Sequence, residues 1–140
     1  MRELDRATAE ALARAARRAR RFAYAPYSRF RVGAAALDDQ GRVYTGSNVE
    51  CGSYGLSNCA ERVAIHKAVS EGARRVVAVA VAGPDDRELT PCGACRQVMA
   101  EFGTQFVVLS RRDRTRVYSF PDFLPRAFRS PKEHRSPERR

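Results

Sequence analysis

At 140 residues, 44% of them hydrophobic, the chain is long enough for one domain with its own core, and no internal repeat marks a second. No apolar run reaches the length of a membrane span, and the charged start (Arg2, Glu3, Asp5, Arg6) lacks the apolar stretch of a signal peptide, so the expected compartment is the cytosol. The net charge of +10 lies at the two ends: residues 1–31 carry +6, residues 126–140 carry +4, and residues 32–125 hold 11 basic and 11 acidic groups, which argues against a nucleic-acid partner because a strand-binding channel needs cations around its pocket.

In chain order, Leu4, Ala11, Ala15, Ala19 and Phe22 recur at helical spacing among arginines and predict an amphipathic first helix that Pro26 ends. Phe30 to Leu37 reads as a strand, Asp38 to Gly41 as a turn, and Arg42 to Asn48 as a second strand, so these two form a hairpin. A Gly- and Ser-rich loop covers 51–58. A helix from about Cys59 to Ser70 follows, closed by Glu71-Gly72. Val76 to Ala82 is continuously apolar, as in a strand buried on both faces. After a polar loop, a helix runs from near Cys92 to near Phe102-Gly103. Short strands are predicted at Phe106 to Leu109 and Arg116 to Phe120, with a short helix after Pro121. From Arg129 the chain is Ser, Pro and mixed charge and is expected to be disordered. Strands alternating with helices in the middle imply parallel crossovers, and the first pair is antiparallel. The fold class is therefore α/β, with a mixed five-stranded sheet between helices.

Four cysteines in a reducing compartment read as metal or catalytic groups, not disulfides. Three fall in two clusters, Cys59-Ala60-Glu61 and Pro91-Cys92-Gly93-Ala94-Cys95, each at a predicted helix start where unpaired N–H groups favour thiolate. Three thiolates can hold one Zn²⁺ and leave its fourth position open for chemistry, and Glu61 stands where a carboxylate can move protons on an activated water. Three thiolates and one Zn²⁺ sum to −1, a charge that Arg62 or Arg96 could offset. Asn48 and Glu50 alternate along one face at the end of the second strand, a pairing suited to a sugar hydroxyl or, equally, to a turn.

The pattern of a first ligand, Glu two residues on and then P-C-x-x-C is the signature of zinc nucleobase deaminases. The chain resembles the tri-cysteine cytidine deaminases from Ala23-Tyr24-Ala25-Pro26-Tyr27-Ser28, through Phe30-Arg31-Val32-Gly33-Ala34, Asn48-Val49-Glu50 and Cys59-Ala60-Glu61-Arg62, to Pro91–Gln97 and Leu124-Pro125-Arg126-Ala127-Phe128. The resemblance implies a three-layer α/β/α sandwich as a catalytic domain over 1–128, with 129–140 as a basic tail. It implies one Zn²⁺ per chain on Cys59, Cys92 and Cys95, with Glu61 as general acid/base and Arg62 hydrogen-bonded to the thiolates. It also implies hydrolysis of cytidine and deoxycytidine to the uridine forms in pyrimidine salvage, by a homotetramer with shared active sites. By the same resemblance Phe30 packs on the pyrimidine, the Ala60 N–H holds its polar edge, Asn48 and Glu50 bind the ribose 3′-hydroxyl, and the Gly52 backbone lies near the sugar. Tyr54 and Phe128 reach a neighbouring subunit's pocket. The partner is then a small nucleoside, with neither nucleic acid nor membrane.

Three other readings compete. A deaminase of a modified nucleoside, such as an aminoacylnucleoside antibiotic, would share the zinc motifs but lack the Phe-x-Val-Gly-Ala and Asn-x-Glu combination. A base-editing or nucleic-acid-binding module would need room and cations for flanking nucleotides. A zinc scaffold would be closed by Cys51 as a fourth thiol, although a free Cys there reads more simply as a small packing residue. His66 is expected to pack within its helix rather than bind metal; His134 is left unassigned.

Overall fold

The computed structural model describes residues 3–85, 87–112 and 114–131. Helix α1 spans Arg6–Arg20 and is capped by Asp5, whose carboxylate accepts from the Thr8 N–H at 2.7 Å. Its buried stripe is Ala9, Leu12, Ala13, Ala16 and Ala19, with Ala15 beside it. The expected stripe was displaced in two places. Ala11 is exposed, because a strict four-residue spacing drifts about 40° per step from the helical period. Phe22 lies beyond the helix end and is 71% exposed. The helix also stops six residues before Pro26, with Arg21 as its C-cap.

Strands β1 (Gly33–Asp38) and β2 (Val43–Ser47) form the expected hairpin, and β3 (Val76–Ala82) is buried along its whole length. Helix α2 (Ala60–Ser70) precedes β3. Helix α3 (Gly93–Glu101) links β3 to β4 (Phe106–Arg111), which pairs with β5 (Arg114–Ser119). The sheet order is β2-β1-β3-β4-β5; only β3 and β4 are parallel neighbours. In place of the helix expected after Pro121 there is a single 3-10 turn, Phe120–Asp122. Arg129 to Pro131 are exposed and irregular; the rest of the expected tail lies outside the described residues.

The alternation of β3 divides two cores. Val77, Ala78, Ala80 and Ala82 meet α1 with Ala35, Leu37 and Val108, while Val76, Val79 and Val81 meet α2 and α3 with Ile65, Met99 and Leu109. The molecule is thus a three-layer α/β/α sandwich. Small residues set the layer spacing. A Cβ on Gly33 would lie 2.0 Å from the Ala16 carbonyl oxygen, and one on Gly46 would lie 2.5 Å from the Ala64 nitrogen and 2.7 Å from the Ala60 oxygen. The first turn of α2 therefore rests directly on β2, which fixes the position of Cys59 and Glu61 above the sheet.

Candidate active site

Cys59 and Cys92 are the N-caps of α2 and α3, both in extended backbone and neither using its side chain to cap. Their thiols are free to converge. Cys59 Sγ lies 3.8 Å from Cys92 Sγ, which lies 3.5 Å from Cys95 Sγ, and all three fall within 4.8 Å of one another. Cys95 is one helical turn inside α3 and fully buried.

Electrostatics show what this donor set needs. The Cys59 thiol is pulled down to about 5 by its hydrogen bond with Cys95, against the effect of burial, and further by Arg62 and Cys92. Cys95 moves the other way, since it shares its proton with Cys59 and is buried. One thiolate forms readily; three ionise together only around a cation. Soft donors at this spacing fit one zinc ion. Arg62 Nη2 donates to Cys59 Sγ at 3.4 Å, and its Nε is buried without a partner among the described residues. Arg96, the other candidate for balancing charge, turns away from the thiols: its Nε donates to the Pro91 carbonyl and its Nη1 to the Phe123 carbonyl.

Glu61 lies on the first turn of α2 and is only 4% exposed. Burial pushes its carboxyl up to about 7, with the Cys59 thiolate adding to the shift; its own backbone N–H and Arg62 oppose it. It borders a cleft of about 460 Å³ together with Cys59, Cys92 and Ala60. Phe30, Val32 and Leu89 give the cleft its apolar wall, and Asn48, Glu50, Asn58 and Thr90 its polar one.

The 48–50 segment leaves the sheet but stays extended, because Tyr24 pairs with it: the Tyr24 N–H donates to the Asn48 carbonyl and the Glu50 N–H to the Tyr24 carbonyl, both at 2.9 Å. Asn48 fixes the opposite wall. Its Oδ1 accepts from the Val32 N–H at 2.8 Å and its Nδ2 donates to the Phe30 carbonyl at 2.7 Å. This amide takes the Val32 N–H and the Phe30 carbonyl in place of a strand partner, while the Val32 carbonyl accepts from the Asn48 N–H at 3.2 Å, and regular pairing of β1 begins at Gly33 and not at Phe30. One N–H and one lone pair of Asn48 stay unused in these two bonds. Glu50 accepts from the N–H groups of Tyr27 (3.0 Å) and Ser28 (3.1 Å) and from Ser28 Oγ. These bonds from Ser28 and Tyr27 hold its carboxyl below the usual range.

Gly52, Tyr54 and Phe128 do not line this cleft. Tyr54 is 75% exposed and meets Tyr27 edge-on at 5.8 Å, in a smaller depression of about 320 Å³ that shares Ser28, Glu50 and Ser57 with the main cleft. Phe128 is 70% exposed, its carbonyl held by Gln97 Nε2 at 2.9 Å. A Cβ on Gly52 would lie 3.1 Å from the Tyr27 hydroxyl. Cys51 Sγ faces the Leu56 carbonyl at 3.7 Å and is not one of the clustered thiols. His66 is exposed, which corrects the expectation that it packs within the chain. Sequence reasoning missed Asn58, Leu89 and Thr90 as cleft residues; only their adjacency to the cysteine clusters could have flagged them.

Residues 6–111 match the family profile described as the cytidine and deoxycytidylate deaminase zinc-binding region. The chain belongs to this family. It is 63% identical over 83 residues to the cytidine deaminase of Halalkalibacterium halodurans, covering 59% of this chain and 63% of that protein. It is 48% identical over 106 residues to the cytidine deaminase of Mycobacterium tuberculosis, covering 76% and 78%. The crystal structure of cytidine deaminase from Burkholderia pseudomallei superposes with a TM-score of 0.79 at 50% identity, over 85% of this chain and 98% of that one. Among the described residues no helix is long and apolar enough to cross a membrane.

Proposed function

We propose that this chain is a zinc-dependent hydrolase that converts cytidine and deoxycytidine to uridine and deoxyuridine with release of ammonia. The observation that carries this reading is the buried Glu61 beside three converging thiols, on the wall of a nucleoside-sized cleft. Zinc bound to Cys59, Cys92 and Cys95 would supply the Lewis acidity that makes water a nucleophile near neutral pH.

The chain's own residues do the rest. Glu61 takes a proton from the attacking water and delivers it to ring N3. It then carries the second proton to the amino nitrogen leaving C4, so water and cytosine become uracil and ammonia. A carboxyl raised to about 7 suits a group that must accept and donate in one cycle. Arg62 offsets the excess thiolate charge. Phe30 packs on the pyrimidine, and the Ala60 N–H meets its polar edge. The free valences of Asn48 and the carboxylate of Glu50 take the sugar hydroxyl, with the Gly52 backbone nearby. Tyr54 and Phe128, exposed on one chain, complete the pocket of another in a homotetramer. The setting is pyrimidine salvage in the cytosol, with residues 1–128 as the catalytic domain and 129–140 as a tail.

The test is ultraviolet-monitored deamination of cytidine, deoxycytidine and a cytosine-containing single-stranded oligonucleotide. Turnover of the free nucleosides alone is expected. Turnover of the oligonucleotide alone would overturn the small-substrate reading.

A further inference from the structure

Residues 88–91 form a short bridge between two parts of the site: Leu89 and Thr90 line the cleft, and Pro91 leads into Cys92. A loop of this kind carries no ladder of its own, yet it must hold a cleft wall and a thiol at fixed positions. The structure pins it at both ends. At Glu88, Oε1 accepts from the Tyr118 hydroxyl at 2.9 Å. At Pro91, a fully buried residue, the carbonyl accepts from Arg96 Nε at 2.7 Å. The two pins are joined. Arg96 Nη1 donates to the Phe123 carbonyl at 2.8 Å and its guanidinium lies 4.9 Å over the Phe123 ring, whose edge meets the Tyr118 ring at 5.5 Å and 85°.

Glu88, Tyr118, Phe123, Arg96 and Pro91 thus close a ring of contacts around the loop. We infer that Arg96 and Tyr118 are positioning residues that staple the 88–91 loop, Arg96 setting the Pro91-Cys92 corner for metal retention and Tyr118 the Leu89-Thr90 wall for substrate binding. A planar guanidinium is required at position 96, because one side chain must reach two carbonyls and stack on a ring at once. A lysine ammonium is a point charge on a flexible stem and lacks the rigid planar fork that spans the two carbonyls while lying flat over the ring. Groups outside the ligand set that orient a metal site commonly change its affinity by about 10–100-fold.

This inference rests on the reading of Cys59, Cys92 and Cys95 as zinc ligands. The experiment compares the full-length zinc-loaded protein with Arg96→Lys, Arg96→Leu and Tyr118→Phe. It measures zinc release to an excess of chromogenic chelator, KM and kcat for cytidine, and thermal unfolding. Arg96→Leu should release zinc at least about tenfold faster, with Arg96→Lys between it and the parent. Tyr118→Phe keeps the ring and the fold, so it should retain zinc, raise KM several-fold and leave kcat close to that of the parent. A zinc-loaded parent whose folded variants match it in release rate and KM overturns the inference alone. A parent that takes up no zinc overturns the ligand reading and this inference with it.

Discussion

The roles proposed for Glu61 and for the three thiols are separable, and single substitutions distinguish them. Glu61→Gln keeps shape and removes the proton carrier, so the variant should fold, hold zinc and lose about 10²–10⁴-fold or more in kcat; near-parental kcat with full zinc would contradict its role. Cys51→Ala should keep both zinc and turnover, because Cys51 Sγ faces a backbone carbonyl outside the thiol group; zinc loss there would restore the closed-site reading. Asp38 gives a pH prediction away from the site. Burial alone would raise its carboxyl, but the Arg42 N–H and guanidinium and the Gln40 N–H outweigh that and hold it low. The unfolded chain therefore takes up this proton at higher pH than the folded chain. The stability that Asp38 adds is complete above the unfolded-state value and is lost as pH falls through the folded one. In urea titrations Asp38→Asn should cost about 1–3 kcal/mol near pH 7, and the gap from the parent should shrink in acid; a gap that stays constant would contradict the sign.

At the scale of elements, the site depends on how closely α2 approaches β2. Gly46→Ala places a Cβ 2.5 Å from backbone of α2, so the helix must shift and carry Cys59 and Glu61 with it. The expected cost is about 1–3 kcal/mol in a denaturant titration, with a lower kcat. Gly55→Ala, where nothing in the same chain lies within 4 Å, is the control for the stability cost alone. Equal effects of the two on stability would contradict the contact argument. The elements were legible where the signal was local: the apolar run of β3 and the helix starts at the two cysteine clusters fell where the residues implied. They were illegible where tertiary contact decided. The stripe of α1 is set by the sheet beneath it, the backbone groups just before β1 are taken by the side chain of Asn48, and the role of Arg96 is set by the distant Phe123 carbonyl. The convergence of three thiols near a buried Glu61 could be anticipated because metal chemistry restricts residue type and spacing there; Leu89, Thr90 and Asn58 could not, since many side chains, apolar or polar, can line a wall.

At the scale of the whole molecule, several large apolar and aromatic side chains stand exposed on the single chain. Tyr24 and Val49 pair in a bridge, Tyr27 touches Tyr54, and Phe22 and Leu56 are 71% and 68% exposed. The homotetramer proposed above would cover such groups, and analytical ultracentrifugation should then give about four times the chain mass of 15.6 kDa; a monomer with full activity would contradict shared sites. Along the sequence, the excess positive charge falls in residues 1–31 and 126–140, on either side of a segment with no net charge. The proposed deamination depends on three thiols that would hold one zinc ion and on the Glu61 carboxyl beside them. The direct measurement follows zinc content and cytidine turnover on one sample while the metal is stripped by a chelator and then returned. Activity and zinc should vanish together and return together, reaching a plateau at about one zinc per chain. Turnover by the zinc-free protein, or one zinc per chain with no turnover of cytidine or deoxycytidine, would contradict it.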